Sequence, residues 1–250
     1  MAVAVSVGAG CASLLIVALT LNSLVTASMD IRDIQTSEHA DDIVTVSSLP
    51  DNAEGQINLN GYWKKSIVTV AFFSKDLTQH QFDVLVENAQ DTMAITQQNA
   101  SSTTISFAGW PDLLSSVSRQ SKNVPALQVI QAGESADIKV YLEANPGSEG
   151  KPGKAKIARD KNTLEIIYSE VYIYSAYDSY RDGTFSPIFK HEMGHALGLG
   201  HATIERSIMH TPLVIFDNIP VGSIKDCEMQ AAKSLYVDMK VKTVACNAAQ

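Results

Sequence analysis

The chain has 250 residues, of which 45% are hydrophobic and 18% charged, so we expect a folded core and exclude a globally disordered chain. Its 19 lysines and arginines stand against 27 aspartates and glutamates, which gives a net charge of −8. Because binding to phosphates needs a basic surface, we expect no nucleic-acid partner. Three cysteines are too few for a disulfide-stapled miniprotein or a zinc site built from cysteine alone.

Residues 1–29 carry no charged side chain and contain a long apolar run. A run of this length can cross a bilayer as a helix. The alternatives are a signal peptide cleaved after the small residues at 25–27, and a buried helix of the main domain. The run is longer than a usual signal core, which favours an uncleaved anchor. Anchor and signal peptide both predict an extracellular or cell-surface protein, held by this segment or secreted after its cleavage.

Residues 30–60 hold seven acidic residues against one base, Arg32, and show no sustained helical or strand period. We interpret them as an acidic stalk or a short pro-segment. The remaining residues, 61–250, carry 18 bases and 20 acids and are close to neutral. Most of the acidity therefore lies outside the part of the chain that we predict to be the catalytic domain.

From residue 61 onward the pattern predicts an α/β (α+β) domain. Runs rich in β-branched and aromatic residues predict strands over 66–73, 126–131, 137–142 and 170–176. Apolar residues at helical spacing predict a long helix after the first strand, beginning at Thr78 and reaching Met93. Residues 101–124 are rich in serine and are predicted to be irregular, and 145–156 are predicted to form a loop.

Four of the six histidines fall between 191 and 210, where residues 191–201 read HEMGHALGLGH. Ser186 and Pro187 predict the start of a helix, as its N-cap and first helical residue. On that helix His191 and His195 are four residues apart, so both imidazoles lie on one face and can bind one ion.

His201 lies too far along the chain to share that face on a straight helix. Gly198 resolves the problem, because glycine accepts a positive φ and lets the chain leave the helix and return His201 to the ion. Three imidazoles with an open fourth position are typical of one catalytic zinc ion. A structural site would close that position with a further cysteine or histidine.

Glu192 follows the first ligand and is predicted to act as a base rather than as a ligand. It would take a proton from a zinc-bound water that attacks a peptide carbonyl, and pass it to the leaving amine. The alternative is a run of histidines without a metal. The spacing disfavours it, because an ordinary helix has no use for a glycine bend before a third histidine.

Residues 191–201 match H-E-x-x-H-x-x-G-x-x-H in full, and the chain thereby resembles the metzincin metallopeptidases. Met209, eight residues after His201, is similar to the methionine of the turn beneath their zinc. The short gap and Ser207-Ile208-Met209 resemble the matrixin branch. The likeness extends over about Trp63 to Val237. It implies a matrixin-like fold: a twisted mixed five-stranded sheet, a long helix after the first strand, a zinc-binding helix and a C-terminal helix.

We expect a monomer, and the resemblance implies a protein or peptide substrate that binds in extended form along an edge strand. The implied substrate-binding residues are Lys154, Ala155, Lys156, Ile157, Pro212 and Leu213. Ala202 stands where matrixins usually have Ser or Thr, and no tyrosine follows Pro212, so side-chain preference does not carry over. The family's calcium sites would lie near residues 145–160, without support from the sequence. Its latency cysteine is missing, because no cysteine lies between 11 and 227.

Residues 223–236 predict a C-terminal helix with a Ser-x-x-Asp capping pattern. Export would allow Cys227 on that helix to form a disulfide with Cys246. The sequence thus predicts an exported zinc endopeptidase. Two alternatives stay open, a processing peptidase with a single partner substrate and a non-catalytic zinc-binding surface module. Glu192 argues against the module, since retaining a metal needs no carboxylate there.

Overall fold

The computed structural model describes residues 34–40, 43–46, 54–93, 107–132, 135–204, 207–211, 213–216, 219–220 and 224–247. The apolar segment 1–29, predicted to be an anchor or a signal peptide, lies outside these ranges. Within them, no helix has both the length and the apolar character that crossing a bilayer requires.

The described residues form twelve strands, in three sheets, and five α-helices. The strands are β1 (Ile34–Ala40), β2 (Ile43–Val46), β3 (Glu54–Leu59), β4 (Ile67–Phe73), β5 (Ala126–Val129), β6 (Ile138–Leu142), β7 (Gly153–Asp160), β8 (Ile166–Ile173), β9 (Leu199–Ala202), β10 (Leu213–Phe216), β11 (Ile219–Pro220) and β12 (Val244–Asn247). The helices are α1 (Gln79–Met93), α2 (Trp110–Ser118), α3 (Ala176–Arg181), α4 (Phe185–Ala196) and α5 (Asp226–Tyr236).

The predicted five-stranded mixed sheet is confirmed, with the strand order β5-β4-β6-β8-β7. Its first four strands are parallel, and β7 joins β8 in antiparallel orientation. A sixth strand, β1, pairs antiparallel with the outer edge of β7. Two small sheets complete the fold, one with the order β12-β3-β9 and one with the order β11-β10-β2.

The core lies where α1 and α4 pack against the sheet. Side chains alternate along β6, so Ile138, Val140 and Leu142 are fully buried. On α1 the predicted apolar face is the packed face, with Leu85 and Ala89 fully buried. The long helix therefore follows the first core strand, as the sequence predicts.

Two element boundaries differ from the prediction around the central helix. The strand predicted over 170–176 is β8, which ends at Ile173 because Ser175 turns into a left-handed conformation and α3 begins at Ala176. Helix α4 begins at Phe185, with Thr184 rather than Ser186 as its N-cap. Pro187 is thus the third helical residue, which costs nothing because the first four N–H groups of a helix have no partner inside it.

The prediction of an irregular segment over 101–124 is wrong for α2. Its Trp110, Leu113, Leu114 and Val117 are buried and recur at helical spacing, with Pro111 in the first turn. The serines that suggested a loop occupy the other positions.

The C-terminal helix, α5, begins at Asp226, and the predicted cap Ser223 lies outside the described residues. Here the backbone N–H of Lys225 donates to the carboxylate of Glu228 at 2.9 Å, as in one half of a capping box. Cys227 on α5 and Cys246 on β12 form a disulfide, with 5.0 Å between their Cα atoms. The bond ties the last described strand to the last helix.

Candidate active site

Two of the predicted ligands lie side by side on α4. His191 and His195 are 2% and 0% exposed, and their Nε2 atoms are 3.1 Å apart. The two rings meet edge to face, with 4.7 Å between centroids. One face of one helix therefore presents both imidazoles to the same point.

Gly198 brings the third histidine to that point. Its φ is +96°, and its N–H donates to the carbonyl of His195 at 2.8 Å as the helix ends. The chain then enters β9, which carries His201 with its ring centroid 4.9 Å from that of His195. One ring nitrogen from each of the three histidines lies within 4.8 Å of the others.

Backbone carbonyls fix which nitrogen of each α4 imidazole carries the proton. The Nδ1 of His191 lies 2.5 Å from the carbonyl oxygen of Ile208, and the Nδ1 of His195 lies 2.8 Å from that of Leu199. A carbonyl can only accept, so each Nδ1 donates and each neutral ring is left with an Nε2 lone pair.

Two Nε2 lone pairs that point at each other across 3.1 Å repel unless a cation lies between them. Nitrogens bound to a tetrahedral zinc ion at 2.0–2.1 Å would be about 3.3 Å apart. Three imidazole nitrogens are a donor set that suits zinc. The residues present therefore fit the predicted ion.

The same part of the chain matches a family model. The model for the matrixins, Peptidase_M10, matches residues 147–237. This part of the chain is similar to the matrixins. No curated protein matches the chain. The matched residues contain the zinc motif, and the family implies a zinc-dependent peptidase that acts on peptide substrates.

Met209 lies in the turn that follows the third candidate ligand, His201. It is fully buried, and its carbonyl accepts a hydrogen bond from the N–H of Ala202 at 2.8 Å, one residue after His201. A Cβ atom on Gly194 of α4 would overlap its sulfur. Met209 thus packs directly against α4, which carries two candidate ligands, and is hydrogen-bonded to β9, which carries the third.

Glu228 supports that turn from α5, and sequence reasoning missed it. Its carboxylate is fully buried and accepts a hydrogen bond from the Ser207 hydroxyl at 2.5 Å. Ser207 in turn accepts from the N–H of Met209 at 2.9 Å. Burial raises the pKa of Glu228, although hydrogen bonds from Ser207 and Lys225 oppose the shift. The available signal was a glutamate at the third position of an otherwise apolar helix face.

Two aromatic donors secure the end of α4, and sequence reasoning missed both. The indole N–H of Trp63 donates to the carbonyl of Ala196 at 2.9 Å, and the hydroxyl of Tyr236 donates to that of Leu197 at 2.8 Å. The last carbonyls of a helix have no partner inside it, so these bonds fix the direction in which the chain leaves the helix.

The carboxylate of Glu192 lies between α4 and the first residue of β7. Glu192 is 1% exposed, and a Cβ atom on Gly153 would overlap its carboxylate. Gly153 therefore gives Glu192 its space. The sequence does not predict this role for Gly153, because the role depends on a contact between distant segments.

The predicted substrate residues fall on two strands. Lys154, Ala155, Lys156 and Ile157 lie on β7, where Ala155 and Ile157 are fully buried and the lysines are half-buried. Leu213 lies on β10 and pairs with Ile43 of β2, and Pro212 lies outside the described residues. The predicted edge strand is itself paired, because β1 covers its outer side.

Proposed function

We propose that the chain is an exported, zinc-dependent endopeptidase in which Glu192 activates the attacking water. The observation that carries the proposal is the pair of Nε2 lone pairs 3.1 Å apart on α4, with His201 as the third nitrogen. A glutamate follows the first of these histidines and is almost completely buried. The site thus combines a donor set for one ion with one acid–base group.

The ion, when bound, supplies a Lewis acid that activates water and polarises the peptide carbonyl. Glu192 takes a proton from the attacking water and delivers it to the nitrogen of the leaving amine. Its burial removes competing solvent from that transfer. His191 and His195 each donate from Nδ1 to a carbonyl, which leaves the Nε2 atoms to face the ion.

We infer that substrates bind as extended peptides along β7. Backbone hydrogen bonds to a strand edge do not depend on the substrate's side chains, so this binding mode suits an enzyme that accepts unfolded proteins of varied sequence. The half-buried Lys154 and Lys156 alternate with the buried Ala155 and Ile157 along that strand. We expect the monomer to be the active form.

The sharpest test replaces Glu192 by glutamine in the full-length, zinc-loaded chain. Glutamine keeps the shape but cannot accept the proton, so cleavage of an unfolded protein should fall roughly 100- to 10,000-fold. Zinc content should stay at one ion per chain. Equal cleavage by both proteins would refute the assigned role, and two inert proteins that retain zinc would favour the non-catalytic module.

Export is proposed from the charge-free segment 1–29 together with the disulfide between Cys227 and Cys246, because such bonds persist in oxidising compartments. The test is an epitope tag inserted after residue 60, probed on intact and on opened cells. Labelling of the tag, or its release to the medium, without opening the cells is the expected result. Labelling only after opening would contradict export.

A further inference from the structure

The strand that carries His201 is held along one side by β3. The two strands, β9 and β3, are antiparallel partners. Beyond one end of β9, the N–H of Thr203 donates to the carbonyl of Gln56 at 2.9 Å. Beyond its other end, the carbonyl of Gly198 accepts from the N–H of Asn60 at 2.7 Å. β3 and the residue after it therefore fix the path of the chain on both sides of His201.

The same strand also orients a second candidate ligand. The carbonyl of Leu199, the first residue of β9, accepts the hydrogen bond from Nδ1 of His195 at 2.8 Å. That bond sets the ring so that its Nε2 is the nitrogen left for an ion. A displacement of β9 would therefore disturb two of the three candidate ligands, His195 and His201.

The far edge of β3 is covered by β12, and the disulfide holds β12 there. β12 runs antiparallel to β3, with Cys246 opposite Gly55. The hydroxyl of Thr243, just before β12, donates to the side-chain carbonyl of Asn58 on β3 at 3.0 Å. Cys246 is fully buried and is bonded to Cys227 in the first turn of α5. The chain reaches β12 from the other end of α5, so the disulfide and the chain together hold β12 at both ends.

The residue next to Cys227 supports the remaining ligand. Glu228 accepts a hydrogen bond from the hydroxyl of Ser207. In the same turn, the carbonyl of Ile208 accepts from Nδ1 of His191. The first turn of α5 is therefore connected to the whole site, directly to the turn that orients His191 and through the disulfide to the strands that hold the other two ligands.

We propose that the disulfide between Cys227 and Cys246 positions the zinc ligands of β9. It keeps β12 on β3 and β3 on β9, so that the two imidazoles held by β9 stay in place for the ion. The proposal rests on the zinc site of the proposed function, but not on peptidase activity. The match to the matrixin model spans 147–237 and includes neither β3 nor Cys246.

Loss of the bond should weaken zinc binding without altering any ligand. A short strand that is attached at only one end frays, and β12 would then leave the edge of β3 unpaired part of the time. Groups that orient metal ligands typically change metal affinity 10- to 100-fold. Because disulfides persist in oxidising compartments, zinc binding reaches its full strength only after the proposed export.

The test is the double substitution Cys227→Ser with Cys246→Ser in the full-length chain, which leaves no thiol at this place to bind zinc. Zinc affinity, measured against a chromophoric chelator, should fall roughly 10- to 100-fold. In the metal-free proteins, hydrogen exchange at the amides of Asn60 and Thr203 should rise roughly tenfold or more. Exchange at the amide of Glu143, which donates to a carbonyl of the main sheet, should not change.

A matched control separates positioning from a general loss of stability. Asp137→Asn removes hydrogen bonds to Lys65 and Thr69, which lie outside the strands and the helix that the disulfide connects. This control should keep the zinc affinity of the unchanged chain and its slow exchange next to β9. Equal zinc affinity in the unchanged chain and the double-serine variant overturns the proposal. So does a loss of affinity in the control as large as that in the double-serine variant.

Reduction of the folded, zinc-loaded chain guards against a variant that fails to fold. A phosphine breaks the S–S bond, each sulfur gains a hydrogen from water, and the phosphine takes the oxygen and becomes its oxide. After removal of the phosphine, the same fall in zinc affinity is expected, and reoxidation by a small disulfide should restore it. A reduced chain that keeps its original affinity overturns the proposal. If the unchanged chain binds no zinc, the proposed function fails, and exchange at Asn60 and Thr203 still decides whether the disulfide holds β9.

Discussion

Gly198 is the position at which a single added methyl group tests the whole site. Alanine there must adopt the left-handed conformation, with φ near +96°, which costs about 1–2 kcal/mol. Its Cβ would also overlap the backbone carbonyl of Gly61, which is not free to swing away as a side chain would be. Such overpacking costs about 1–3 kcal/mol more. Gly198→Ala should therefore lose about 2–5 kcal/mol of unfolding free energy.

Gly183→Ala separates the two contributions. Gly183 also has a positive φ, +81°, but a Cβ atom there would meet nothing within 4 Å. It should lose only the conformational cost of about 1–2 kcal/mol. Urea unfolding of the metal-free proteins measures both losses, and the difference between them isolates the overlap with Gly61.

Zinc affinity supplies the second readout for Gly198→Ala. Relief of the overlap moves the start of β9, and His201 with it, so affinity measured against a chromophoric chelator should fall roughly 10- to 100-fold. Gly183→Ala should bind zinc as the unchanged chain does. If Gly198→Ala matches Gly183→Ala in both stability and zinc affinity, the glycine bend does not position His201 and the reasoning is refuted.

Two further substitutions test the contact between Gly153 and Glu192 and the hydrogen bonds of Asp137. Gly153→Ala should displace the carboxylate of Glu192 and lower kcat roughly 10- to 100-fold without loss of zinc. The control is Gly150→Ala, whose Cβ would meet nothing within 4 Å and which should leave kcat unchanged. Equal kcat values for the two variants would contradict the contact. Burial raises the pKa of Asp137, but hydrogen bonds from Lys65 and Thr69 outweigh it and hold that pKa below the usual 3.8. The ionised form of Asp137 therefore stabilises the fold above pH 3.8. In urea unfolding, Asp137→Asn should lose about 1–2 kcal/mol of unfolding free energy at pH 7, and this loss should disappear as the pH falls below 3.8. A loss that is independent of pH would contradict this.

The sequence predicts the elements that are determined by interactions between residues close together in the chain. The three histidines and Gly198 lie within eleven residues, and helix geometry alone predicts that they can meet at one ion. The motif can therefore be interpreted without a structure. The core strands and α1 are predictable because periodic burial leaves a periodic pattern. Helix α2 has the same pattern, and its many serines hid it.

The contacts that sequence reasoning missed all join distant segments. Glu228 reaches the turn of Met209 across 19 residues, and Trp63 reaches the end of α4 across 133. The pairing of β1 with β7 is harder still to predict, because it uses main-chain groups that almost every residue carries. Residues 30–60 show no sustained hydrophobic period in the sequence, and a strand added at an edge does not need one.

Three glycines surround the site for two different physical reasons. Gly198 is needed for its backbone conformation, since its φ is positive, and also for space, since a Cβ would overlap the carbonyl of Gly61. Gly153 and Gly194 are needed for space, because a Cβ would overlap Glu192 at the one and Met209 at the other. Alanine at Gly194 would favour the helix by about 1 kcal/mol and still disturb the site, because the added methyl group enters the space of the Met209 sulfur. Close packing around side chains of fixed position, and not helix stability, therefore determines which residues this site accepts.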